Sequence, residues 1–154
     1  MKHLTCVIGI TVIIVIFYLI AFYVEKDMVL YNTVVPPANV QLDQWLGSFW
    51  LWAIVGIVTA GVASLLWYIL AQWVFKIKQW AKSGRRGIWL LLILLPAVAI
   101  ILGFVFTKKA QAGAWPAYLF YVLNGLLCYY LATALFSPSS FKYTPWGTSK
   151  FRRW

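Results

Sequence analysis

KIKQWAKSGRRG, residues 76–87, decides how the rest of the chain is read. Five of the thirteen Lys and Arg residues (Lys76, Lys78, Lys82, Arg85 and Arg86) fall within it, with Gly84 and Gly87 beside the arginines. On either side, residues 46–75 and 88–107 carry no charge. A dense cationic turn between two long apolar runs resists translocation across a bilayer and stays on the cytoplasmic side. Every other segment takes its orientation from that turn.

Working outward, uncharged runs near the roughly 20 residues needed to cross the hydrocarbon core define four spans. They are residues 4–24, 46–75, 88–107 and 115–136. Glu25, Lys26 and Asp27 end the first, and a polar connection to Gln44 follows, in which residues 28–35 read as a short extended segment stopped by Pro36 and Pro37. The second run is thirty residues, about 45 Å as a helix, so its end extends into the cytoplasm through Gln72, Lys76 and Trp80. Ser83–Gly87 then turns the chain. Pro96 kinks the third span by removing a backbone donor. Residues 1–136 thus form one membrane domain, and residues 137–154 a basic, aromatic tail. Lys and Arg divide ten (amino terminus, 76–87 turn, tail) against three (Lys26, Lys108, Lys109), which puts both termini in the cytoplasm. The expected fold is an all-α membrane protein of four transmembrane helices.

Composition agrees. The 154 residues are 64% hydrophobic and 10% charged, where a soluble domain carries about 25% charge to keep its surface wet. The net charge of +10 reads as topogenic and lipid-facing charge drawn to anionic lipid, so nucleic acid is not expected as a partner. Cys6 and Cys128 lie in apolar runs without metal or redox spacing. The run after Met1-Lys2-His3 exceeds a signal-peptide core and lacks a small-x-small cleavage site, so it reads as an uncleaved helix.

Within the four runs there is no Asp, Glu, Lys, Arg or His. Intramembrane ionisable residues mark proton relays and ion paths. Without one, proton-coupled antiport has no carrier, and the membrane-embedded glutamate of small multidrug resistance transporters has no counterpart. His3, the one histidine, cannot provide haem ligation, and the three acids (Glu25, Asp27, Asp43) form no metal cluster. No catalytic residue, cofactor, metal or small-molecule substrate is expected.

Helix-packing or partner-contact candidates are small or polar residues. Gly56, Ala60 and Ser64 recur at steps of four on the second span, and Ala99 and Gly103 do so on the third, a spacing that lets backbones approach. Asn124, midway along the fourth span, needs a hydrogen-bond partner away from water. Trp45, Trp50, Trp52, Trp73, Trp80, Trp89 and Trp115 read as interfacial anchors. In the tail, Lys142, Trp146, Arg152, Arg153 and Trp154 are the contact candidates, since large rings and guanidinium groups dominate protein interfaces.

These features point to a non-catalytic accessory or scaffold subunit of a larger assembly in a bacterial inner membrane, such as a secretion or conjugation machine. Its partners would be anionic lipid and other membrane subunits or further copies of itself. Two alternatives stand beside it. In size, helix number and basic charge the chain is similar to colicin immunity proteins, which implies neutralisation of a membrane-active toxin, although no motif matches. Asn124 keeps open a small channel-like oligomer.

Overall fold

The computed structural model describes residues 2–74, 82–107 and 109–137, and these form an all-helical protein. Among them, four helices are long and apolar enough to cross a membrane: α1 (Leu4–Thr33), α2 (Leu42–Val74), α3 (Gly84–Phe106) and α4 (Trp115–Phe136).

The largest departure from the sequence reading is in α1. It does not stop at Val24 but continues through Glu25, Lys26 and Asp27 to Thr33. Glu and Lys are good helix formers, and three charges in a row do not break a helix whose apolar sequence resumes at Met28. The chain leaves the helix only at Val34, which is extended (φ −90°, ψ 131°) just ahead of Pro36-Pro37. From Ile20 to Leu30 the helix is π-wound. The buried positions Ala21, Glu25, Leu30 and Val34 step by four, five and four residues. That is longer than the α-helical 3.6, as i→i+5 bonding requires.

The other boundaries move less. α2 starts at Leu42 rather than 46, with Asp43 in the first turn, where a carboxylate complements the helix dipole. Its far end is π-wound from Leu70 to Val74. Its expected extension through Lys76 and Trp80 lies outside the described residues. The expected turn at Ser83–Gly87 is instead helical, within Lys82–Leu92. α3 is interrupted at Ile93, whose N–H bonds to the Leu90 carbonyl at 3.2 Å, three residues ahead of the donor-less Pro96.

Ring contacts fix the arrangement. Tyr18 and Phe22 of α1 both face Trp50 of α2 with centroids 5.1 Å apart. Trp52 of α2 stacks on Phe106 of α3 at 5.4 Å, and Trp89 of α3 stacks on Tyr129 of α4 at 5.5 Å. Gly9 of α1 lies under the Phe136 ring of α4. Each helix is thus antiparallel to the next, and α1 and α4 are also antiparallel, in an up-and-down bundle. The first turns of α1 and the last turns of α4 share one end.

α2 packs against all three other helices. Half of its most apolar window is buried, against 17% for α1. Its neighbours approach closely because Gly56 faces Gly125: a Cβ added at Gly56 would meet the Gly125 backbone nitrogen at 3.9 Å. The outward surface, including Leu4, Val12, Ile16, Ile69, Leu91, Val105 and Leu135, is apolar and exposed. At the end opposite the first turns of α1 and the last turns of α4, two connections are joined. Val35 donates to the Ala112 carbonyl at 3.0 Å and accepts from Gln111 at 2.8 Å. Gly113 closes this latch at φ +72°, pressed against the Thr33 carbonyl, a position that excludes a side chain.

Candidate functional site

Extending α1 past Val24 carries Glu25 into the bundle, where its residue surface is only 2% exposed. Asn124, fully buried on α4, donates from Nδ2 to Glu25 Oε2 at 2.7 Å. Both residues sit inside π-wound sections, Ile20–Leu30 and Leu123–Leu127. Such sections are uncommon and often mark functional positions, because the extra residue per turn re-aims side chains. Asn124 lies nine residues from Trp115 and twelve from Phe136, about 13 and 18 Å along α4, so the pair meets near the middle of α4. The expected absence of an ionisable side chain among the helices is therefore overturned by Glu25. Its neighbours Lys26 and Asp27 turn outward and meet each other at 3.8 Å, with Lys26 Nζ 4.9 Å from the Phe22 ring centre.

A second polar group closes the end shared by the first turns of α1 and the last turns of α4. Trp67 of α2 donates its indole N–H to Ser137 Oγ at 2.7 Å, and Trp89 of α3 donates to Thr133 Oγ1 at 3.0 Å. Tyr129 donates to the Trp89 carbonyl at 2.9 Å, and Ser137 Oγ donates to the Thr133 carbonyl. Together these tie α2 and α3 to the last turns of α4. Nearer the latch, the hydroxyls of Thr107 and Tyr121 share a hydrogen bond of 2.5 Å. An open depression of about 400 Å³ is bounded by Phe104, Lys109 and Tyr118. Among the described residues, no three His, Cys, Asp or Glu side chains come together.

The small residues singled out in the sequence all face inward. Gly56, Ala60, Ser64, Ala99 and Gly103 are buried between helices of this chain. Ser64 Oγ returns to its own helix, donating to the Ala60 carbonyl at 2.7 Å. Asn124 joins none of the α2 candidates by hydrogen bond; its partner is Glu25. Lys142, Trp146, Arg152, Arg153 and Trp154 lie outside the described residues.

The tryptophan reading needs correction. Trp45 and Trp89 are core residues, 2% and 6% exposed, as is Trp67, whereas Trp73 and Trp115 do stand on the surface. The indole N–H of Trp67 or Trp89 can be buried because a hydroxyl of α4 receives it. A pointer to Glu25 was present in the sequence. Asn124 required a partner, and the apolar run resumes three residues after Glu25.

No protein-family model matches the chain, and no characterised protein or solved structure matches it either. Fold and site together define an all-helical protein with four helices of membrane-crossing length and one buried acid–amide pair.

Proposed function

We propose that this chain is a non-catalytic, multi-pass subunit of a larger assembly in a bacterial inner membrane, held to its partner through its carboxy-terminal tail. Both ends face the cytoplasm in this reading, as the ten-to-three division of Lys and Arg favours. The observation that carries the proposal is the inward use of the small-residue faces. With Gly56, Ala60, Ser64, Ala99 and Gly103 occupied inside the bundle, close helix approach to a partner has no obvious seat. The tail then holds the chain's most partner-like chemistry. Residues 141–154 interleave Lys142, Lys150, Arg152 and Arg153 with Phe141, Tyr143, Trp146, Phe151 and Trp154.

A scrambled tail of identical composition tests this. Adhesion to anionic lipid depends on charge number and aromatic area, whereas docking needs each side chain in its pocket. Scrambling residues 141–154 is expected to abolish recovery of the partner that co-purifies with the wild type from native membranes. Trp146→Ala is expected to weaken that recovery by about 2 kcal/mol or more. Equal recovery by the scrambled and native tails sinks the docking proposal. The buried Glu25–Asn124 pair favours a second reading, the small channel-like oligomer, in which case ion flux through vesicles changes in Glu25→Gln.

A further inference from the structure

Glu25 and Asn124 leave one hydrogen-bonding atom over. Asn124 Nδ2 donates to Glu25 Oε2, but Asn124 Oδ1 is buried with no hydrogen-bond partner. An ionised carboxylate only accepts, so it cannot serve Oδ1. Nor, among the described residues, does a cation face the pair. Lys26 of the same helix is occupied with Asp27 and the Phe22 ring. α2, from Leu42 to Val74, has no Lys, Arg or His, and its one acid, Asp43, is exposed in the first turn. α4 brings Tyr118 and Tyr121, the second bonded to Thr107. Arg85 and Arg86 lie at the far end of α3, ten or more residues, about 15 Å, before Pro96, which packs near Gly125.

One proton resolves every part of this. A neutral carboxyl has an O–H donor in addition to its carbonyl acceptor. Laid against a primary amide, it accepts Nδ2–H on one oxygen and donates O–H to Oδ1 from the other, closing a ring of two hydrogen bonds. We propose that Glu25 and Asn124 form a proton-binding site inside the bundle, in which Glu25 carries the exchangeable proton and the acid–amide ring clamps α1 to α4. Removing the proton leaves a carboxylate buried without a counter-ion and Oδ1 unpaired again, and both penalties are relieved only if α1 and α4 separate there or a cation enters. The clamp acts on the helix least held elsewhere, since α1 buries the smallest share of its apolar window. The π-wound sections on both helices bring the two groups to the same point. The site does not depend on the tail and stands or falls separately from the docking proposal.

Infrared spectra of the full-length protein in lipid vesicles at neutral pH provide the test. The wild type is expected to show the carbonyl stretch of a protonated carboxylic acid, lost in Glu25→Gln and displaced in Asn124→Leu. Glutamine keeps one donor and one acceptor toward Asn124, so Glu25→Gln folds and mimics the protonated state. On raising the pH, the wild-type unfolding midpoint in detergent shifts down as the carboxyl loses its proton, while that of Glu25→Gln does not. A carboxylate band for Glu25 at neutral pH overturns the proposal. So does an acid band that Asn124→Leu leaves in place, or one that vanishes on adding sodium, which would mark a metal-cation site. Parallel pH responses of wild type and Glu25→Gln also overturn it.

Discussion

At the scale of single residues, this bundle is held by side chains that carry both an apolar body and one polar atom. Trp67, Trp89 and Tyr129 fill the core with rings and direct one N–H or O–H to a partner on a neighbouring helix. Thr133 is at the centre, because its hydroxyl receives the Trp89 indole while donating to the Tyr129 carbonyl one turn back. Thr133→Val keeps the shape and leaves the Trp89 N–H without that acceptor. Hydrogen bonds between membrane helices average about 0.6 kcal/mol and reach about 1.7. We therefore expect Thr133→Val to lower stability by about 1 kcal/mol in reversible detergent unfolding and Thr133→Ser to lower it less. Equal stability of the valine variant and wild type would show that the bond contributes nothing. None of this was legible in the sequence. A threonine in an apolar run looks the same whether it bonds its own backbone or a tryptophan forty-four residues away.

At the scale of elements, the four apolar runs were legible, since length and absence of charge are properties of the run itself. The fourth spans Trp115–Phe136. The end of α1 was not legible, because two physical rules compete at Glu25. Charges in a row argue for water, while helix propensity and the resumed apolar sequence argue for continuation. The latch between Val35 and Ala112 tips the balance, and it involves residues from two distant connections that no local pattern relates. Continuation makes a direct prediction. Amide hydrogen exchange in lipid is expected to be slow from Glu25 to Leu30, and fast only beyond Val35. Rapid exchange directly after Val24 would restore the loop. The small residues of α2 show the opposite case. Their spacing announced a close approach, and the partner turned out to be the backbone of α4 at Gly125.

At the scale of the whole molecule, the strongest expectation is orientation. An up-and-down bundle of four helices puts the first turns of α1 and the last turns of α4 at one end, and the ten-to-three charge bias leads us to propose that this end faces the cytoplasm. Reporter fusions after Arg86 and after Trp154 should read cytoplasmic, and a fusion near Pro37 should read external. A cytoplasmic signal at Pro37 would reverse the orientation.

Glu25 and Asn124 are ninety-nine residues apart in the chain, and that separation is also a delay. At about 5–20 residues per second of synthesis, α1 waits roughly 5–20 s before α4 exists. Until then Glu25 lacks Asn124, and a charged Glu25 would gain most by staying with Lys26 and Asp27 in water. On the proposed proton-binding reading, the newborn helix would span the bilayer with residues 4–24 alone. It would sink to its final register only once Asn124 is present, with Glu25 taking up its proton on the way. Biogenesis of such a protein would end with a movement of its first helix, made after its last helix has been built.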